Sequence, residues 1–364
     1  MNKVINVGLC GYGTVGRGVF KLINSLDKKF NIKLLKVLDM PNKKAELGNL
    51  LVTDYLDLVN DNNIDIVIEC LGSDTLSYKV ITGALLNSKI VITSNKETVS
   101  NHFDEYIDLA KKHNTAIYFE ASVGGGIPLL HNIYEISKFD NIKSFDGILN
   151  GTTNFILTKM FYENMNFTDA LKLAQEKGFA EKDPSADLKG LDLVRKGHIL
   201  ASLAFNVQLD NTKITHFGIE NINSEIVDKI KSENKLLKLV VSGEKIDNKV
   251  ALFVMPTIIN QDDPLASIKY EFNGVNVHCE NNDLLTLIGK GAGQLPTASA
   301  IMQDLMHAIT QKENIDRTKA KEVDIYSEFK GNYLVYKNNK FFKLTCPTYA
   351  QLSNYEFVAL IKGE

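Results

Sequence analysis

Short apolar runs and stretches of helical spacing take turns along the first third of the chain. Residues 4–9 form an apolar run of strand length, and Val19, Phe20, Leu22, Ile23 and Leu26 then recur at helical spacing. Further strand-like runs lie at Ile32–Leu38, 64–70, Ile90–Thr93 and 116–119, with helical patterns between them. An alternation of this kind predicts a mostly parallel sheet with helices on both faces through about residue 135. Ligands of such sheets sit beyond the carboxyl ends of the strands. Those ends carry Gly11, Asp39, Gly72, Ser94, Lys96 and Glu120.

After residue 135 the pattern changes. Strand-like 142–149, a helix near 155–162 and two more helices across 167–205 are followed by β-rich sequence at 236–242, 250–254 and 275–278. This predicts a second, α+β domain over 136–294. An apolar helix over about 295–310 reads as a return to the first domain, 1–135. From residue 311 charges crowd in at Lys312, Glu313, Asp316, Arg317, Lys319, Lys321 and Glu322, which predicts a linker into a short C-terminal extension, 311–364. Within it 333–337 and 340–344 alternate around Asn338-Asn339 as a hairpin does. An isolated hairpin is marginal in water, so this one is expected to dock on a larger surface.

Gly11, Gly13 and Gly16 stand at G-x-G-x-x-G spacing between the first strand and its helix. There the helix start, at Thr14 and Val15, turns backbone N–H groups and a positive dipole end toward a pyrophosphate. The first domain is therefore read as a Rossmann-type, doubly wound, dinucleotide-binding fold. The alternative is a glycine turn kept only for tight packing. Asp39 ends the second strand, 23 residues past Gly16, where a carboxylate accepts from the adenosine ribose hydroxyls. That favours NAD over NADP, whose 2′-phosphate the carboxylate repels.

With 41 basic against 44 acidic residues, the net charge of -3 gives no general attraction to nucleic acid or anionic membrane, so a small-molecule substrate is expected. The first strand begins near residue 4, leaving no room for a signal peptide, and no apolar run is long enough to span a bilayer. A cytoplasmic protein is expected. Cys10, Cys70, Cys279 and Cys346 are scattered without CxxC spacing, which argues against a disulfide framework or a Cys-ligated metal.

A second chemical signal is the charged helix start at 178–187. Counting from Leu188 at 100° per residue, Leu188, Asp192, Lys196, Ile199 and Leu203 share one narrow arc. A carboxylate and an ammonium then lie one turn apart on an apolar face. The common alternative is an i,i+4 ion pair on a solvated helix, but burying charge without a use is costly. Hydride transfer between a nicotinamide and a carbonyl carbon needs a group to move the oxygen's proton, and Lys96 and Lys196 are the candidates. Either could be an ordinary surface lysine. An amino-acid substrate brings an ammonium that wants carboxylates such as Glu181, Asp187 or Asp192; helix capping is the alternative for Asp183 and Asp187.

Taken together, the first turn, Ser94-Asn95-Lys96, the 120–128 segment with its glycines, Asn150-Gly151-Thr152-Thr153-Asn154, the 178–196 block and the 291–305 segment resemble homoserine dehydrogenase from residue 1 to about 310. The 178–196 block carries the resemblance most specifically. The resemblance implies NAD- or NADP-dependent, reversible reduction of L-aspartate 4-semialdehyde to L-homoserine, a step of threonine, methionine and isoleucine biosynthesis. It implies Lys196 as proton donor and acceptor with Lys96 assisting, Glu181, Asp192 and Asp187 on the substrate, and Gly151, Thr152 and Phe179 lining its pocket. Gly72, Ser94, Gly178, Gly291 and Gly293 would then line the cofactor. A monovalent cation, sodium or potassium, would be held mainly by backbone carbonyls at Glu120, Val123, Gly125 and Ile127; the alternative there is a mobile glycine hinge. A homodimer through the β-rich region is also implied, and strands such as 250–254 present apolar faces or edges that need cover.

The chain departs from that family in three ways. Leu38, not an arginine, precedes Asp39, although Lys43 and Lys44 follow; Phe179 and Lys290 replace a common tyrosine and proline; and 311–364 is short for a complete amino-acid-sensing domain. Two other readings compete. A thiol-dependent aldehyde dehydrogenase would need an activated cysteine in a cleft motif, which is not found. An idle dinucleotide sensor would have no reason to keep Lys96, Glu181, Asp192 and Lys196 together.

Overall fold

The computed structural model describes residues 4–26, 30–310, 315–317, 320–326 and 329–363. The chain divides into two compact units, 1–134 with 292–320, and 135–291 with 321–364.

The first unit is built on six parallel strands in the order β3-β2-β1-β4-β5-β6: β1 (Ile5–Cys10), β2 (Ile32–Leu38), β3 (Leu51–Val52), β4 (Ile66–Glu69), β5 (Ile90–Thr93) and β6 (Ile117–Tyr118). Order reverses between β1 and β4, so the crevice beyond their carboxyl ends is the ligand position of a doubly wound sheet. Val7, Leu9, Ile66, Ile68 and Ile92 pack against Val19 and Ile23 of α1 (Thr14–Ser25) and against Ala298, Ile301 and Leu305 of the returning helix Gln294–Thr310. Helices α2 (Asp74–Leu86), α3 (Lys96–Asn101) and α4 (Phe103–Lys112) complete the unit, with α2 packed on β4 and β5. These strands read as unbroken apolar runs because both faces are covered. Gly18 lets α1 meet the returning helix closely: a Cβ there would lie 2.7 Å from the Gln294 carbonyl oxygen.

The linker expected from residue 311 is partly ordered packing. Arg317 is buried, its guanidinium 3.0 Å from Asp104 and over the Phe103 ring, because a desolvated cation needs a partner. Lys312, Glu313 and Lys319 lie outside the described residues.

The second unit centres on a ten-stranded sheet. Strands β7 (Ile142–Ile148), β8 (Lys235–Ile246), β9 (Lys249–Asn260), β10 (Phe272–Cys279), β11 (Asp283–Lys290), β12 (Asn332–Lys337), β13 (Lys340–Thr345) and β14 (Phe357–Ile361) run in the order β11-β10-β7-β8-β9-β14-β12-β13. The short strands Thr215–His216 and Asp324–Tyr326 also pair with β9. Four helices matter for the site: α5 (Gly151–Glu163), α6 (Phe167–Glu176), α7 (Ser185–Leu188) and α8 (Leu191–Phe205). Helix α8 lies so close to β8 that a Cβ on Gly197 would sit 2.5 Å from Val241.

Two expectations need revision here. The arc from Leu188 to Leu203 is not one helix: Gly190 takes φ 84° and separates α7 from α8. The strand at 250–254 needs no second chain to cover it, because β9 is flanked by β8 on one side and by Thr215–His216, Asp324–Tyr326 and β14 on the other. Strands β12 and β13 form the expected hairpin in the expected register, Tyr333 opposite Leu344 and Tyr336 opposite Phe341. Asn338 and Asn339 both have positive φ, 50° and 58°, the requirement of a tight two-residue turn. The hairpin docks on its own unit, where Tyr333, Val335, Leu352 and Val358 share a core cluster with Met255.

Candidate functional site

Of the three glycines at the end of β1, the fold requires two. Gly11 has φ 92°, and a Cβ there would meet the Cys70 carbonyl oxygen at 2.7 Å; a Cβ on Gly16 would fall 1.9 Å from the Gly11 oxygen. Gly13 is different. Its φ is -80° and nothing lies within 4 Å of a Cβ built on it, so neither backbone nor packing demands glycine, and the space beside the start of α1 is left clear. Thr14, Val15 and Gly16 supply the first N–H groups of that helix, which the helix itself cannot satisfy. Asp39 closes the far side, its carboxylate accepting from the N–H groups of Tyr12 and Met40.

At the ends of β4 and β5 the sequence reading missed Glu69. This carboxylate is fully buried and accepts from the Leu71 N–H (2.6 Å) and from the hydroxyls of Ser77 and Thr93. Burial pushes its pKa up. It braces the turn that carries Gly72 against the strand end that carries Ser94 and Lys96. Asn95 caps α3 by accepting from Glu97 and Thr98, which places half-buried Lys96 in the first turn. Burial also raises the pKa of the Cys10 and Cys70 thiols, which disfavours either as an activated thiolate.

In the second unit, Lys196 and Asp192 lie on α8 with Nζ 2.8 Å from Oδ2, at 9% and 4% exposure. The Lys196 ammonium also donates to the Leu149 carbonyl at 2.6 Å. Asn150, the N-cap of α5, ties the pair to a second carboxylate: its Nδ2 donates to Asp192 Oδ2 (2.8 Å) and Asp187 Oδ1 (2.7 Å). The Thr152 hydroxyl lies 2.9 Å from Asp187 Oδ2 and 2.6 Å from the Phe179 carbonyl oxygen. Burial and the nearby Asp192 carboxylate push the Asp187 pKa up. Asp187 is therefore a network member rather than a helix cap, and Asp183, one residue before the Pro184 N-cap of α7, accepts from the Ser185 N–H in a local turn.

Other candidates fall around this network. Gly151 starts α5 where the Glu271 carbonyl comes within 3.0 Å of a would-be Cβ, and the Phe179 ring packs on Phe155 at 5.1 Å. Gly178 turns the chain after α6 with φ 75°. Glu181 is exposed, and among the described residues its carboxylate enters none of these hydrogen bonds. Gly291 abuts the buried Asn273 side chain, 2.0 Å from a would-be Cβ, and Gly293 has φ 121°. From the sequence Asn150 has a place in a motif but no site role, although it joins the carboxylates.

The 120–131 segment of the first unit is held by a buried acid cluster. Glu120 accepts from the N–H groups of Leu129, Leu130 and His131, and its own N–H donates to Asp304, which also contacts His131 Nε2 at 2.7 Å. Burial and Asp304 push the Glu120 pKa up to about 7. Gly124 and Gly125 take φ 79° and 60°, so the turn through Val123 and Ile127 requires them. Among the described residues no His, Cys, Asp and Glu cluster has metal-ligand geometry, and no helix is long and apolar enough to cross a membrane.

The first unit belongs to the class of nicotinamide-dinucleotide-binding oxidoreductase folds, and a buried lysine beside two carboxylates suits proton movement on a polar substrate. Comparison narrows the class. Residues 11–120 match the family described as "Homoserine dehydrogenase, NAD binding domain" and 128–306 that described as "Homoserine dehydrogenase". The homoserine dehydrogenase of Bacillus subtilis is 38% identical over 315 residues, 84% of this chain and 72% of that one, and that of Corynebacterium glutamicum is 34% identical over 85% and 73%. The crystal structure of a homoserine dehydrogenase from Thiobacillus denitrificans superposes with a TM-score of 0.86 at 29% identity, over 92% of this chain and 84% of that one. A hyperthermophilic archaeal homoserine dehydrogenase in complex with NADPH gives 0.74 at 27% identity, over 86% and 100%. The chain belongs to the homoserine dehydrogenase family.

Proposed function

We propose that this NAD(P)-dependent oxidoreductase interconverts L-homoserine and L-aspartate 4-semialdehyde, with Lys196 moving the proton of the substrate oxygen. The observation that carries this reading is the buried Lys196–Asp192 pair linked through Asn150 to Asp187. A cation and a carboxylate kept out of water, with a second carboxylate half-buried beside them, are costly unless used. Two of the three Lys196 N–H donors are held by Leu149 and Asp192, which orients the third toward a substrate oxygen. Asp187 suits the substrate ammonium, the exposed Glu181 is assigned to the same ammonium in the substrate complex, and Thr152 and Gly151 border it. Lys96 is assigned the assisting role.

The clear space at Gly13, beside a helix start and opposite Asp39, fits a dinucleotide pyrophosphate and ribose; Gly72, Ser94, Gly178, Gly291 and Gly293 complete the cofactor set. The bound nicotinamide supplies the hydride acceptor. Asp39, preceded in sequence by Leu38 rather than by an arginine, favours NAD. The backbone carbonyls of Glu120, Val123, Gly125 and Ile127 suit a monovalent cation; the Glu120 carboxylate itself is occupied by three amides. Exposed Leu284 and Ile288 on edge strand β11 support a homodimer; the location assigned is the cytoplasm. The test is homoserine oxidation followed by absorbance with NAD and NADP in turn. Turnover with either supports the reading; none with both overturns it.

A further inference from the structure

Arg17, one turn into α1, places its guanidinium 4.5 Å above the Tyr12 ring. The Tyr12 N–H in turn donates to Asp39, so Arg17 stands on the side of the glycine turn where the adenosine ribose is read. There the guanidinium is already engaged. Nη2 donates to Glu46 Oε1 at 2.9 Å and Nη1 to Glu46 Oε2, a two-point pairing of fork to carboxylate. The same fork takes a phosphate in the same way. Glu46 sits in the short helix Lys44–Leu47, on the segment that follows Asp39 off the end of β2. Both side chains are about two-fifths exposed, at 37% and 43%, and exposed pairs are weakly held, so a competing dianion can displace one partner from the other.

We propose that Glu46 sets the cofactor preference of this enzyme by occupying Arg17, the group that would otherwise bind the 2′-phosphate of a phosphorylated dinucleotide. The inference rests on the dinucleotide reading above and goes beyond it by naming a residue that selects between the two cofactors. With NAD the Arg17–Glu46 pair stays closed and Asp39 takes the ribose diol. A 2′-phosphate must displace Glu46 and then lie near two carboxylates, a repulsive element that discriminates against the wrong ligand.

The test compares kcat/KM for NAD and NADP in wild type, Glu46→Gln, and Arg17→Ala/Glu46→Gln, with fluorescence titration of NADPH binding as a readout independent of turnover. Glu46→Gln is expected to raise NADP use by about tenfold while NAD use stays within about twofold, and the second substitution to erase the gain. An unchanged NADP-to-NAD ratio in Glu46→Gln overturns the proposal, as does a gain that survives loss of Arg17. Absence of homoserine turnover in the wild type, with the NADPH affinities still shifting as described, would reject the assigned reaction and leave this inference standing.

Discussion

Lys196 and Lys238 are both buried lysines of the second unit, yet their surroundings differ. Lys196 faces a carboxylate, whereas Lys238 donates to two neutral oxygens, Asn154 Oδ1 (2.8 Å) and the Ile268 carbonyl (2.5 Å). Burial, with Lys269 adding repulsion, pushes the Lys238 pKa down from 10.5 to about 7. Its folded pKa is depressed, so the unfolded chain binds more protons between those values and stability rises with pH across that window, by up to about 1.4 kcal/mol per unit. Lys238→Met should remove this slope in denaturant titrations at pH 7 and pH 9; an unchanged slope would mean Lys238 is charged in the fold. For Lys196→Ala, kcat should fall by about 10² to 10⁴ while NAD binding, followed by titration, persists. Retention of more than about a tenth of kcat would remove Lys196 from the proton step.

At the scale of the element, the strand, turn and helix around Gly11–Gly16 separate what folding needs from what a ligand needs. Gly16→Ala places a methyl inside the Gly11 carbonyl and should lower the thermal midpoint by several degrees, a cost of about 1–3 kcal/mol. Gly13→Ala meets nothing in the protein. Its midpoint should stay near wild type while the KM for the dinucleotide rises by about tenfold or more. If Gly13→Ala binds cofactor normally, the pyrophosphate does not pass over this turn.

For the whole molecule, residues 321–363 are structural members of the second unit. They add strands β12, β13 and β14, cover one side of β9 and contribute Phe329, Tyr333, Val335, Leu352 and Val358 to a buried cluster. A chain ended after Ile309 leaves that side of β9 paired only with Thr215–His216, and an exposed strand edge is a known route to aggregation. It should be insoluble or melt about 10 °C lower. A native midpoint would show the extension to be dispensable for folding. Sedimentation at micromolar concentration should give a dimer, and Ile288→Asp on β11 should shift it toward monomer; if the mass does not move, another surface joins the protomers.

What the sequence by itself determined is local. The parallel sheet was legible because β-branched apolar runs and helical spacing are properties of neighbouring residues, and so was the hairpin turn at Asn338-Asn339. Asp192 and Lys196 are four residues apart, so their shared helix face follows from periodicity alone. Only the tertiary structure decided the rest. Asn150 meets Asp187 and Asp192 across 37 and 42 residues, Glu120 meets Asp304 across 184, and Arg17 meets Glu46 across 29. No local pattern encodes such pairings. The buried ones among them arise when strands and helices bring distant polar groups into a space without water, where each must find a partner or bear the cost of burial.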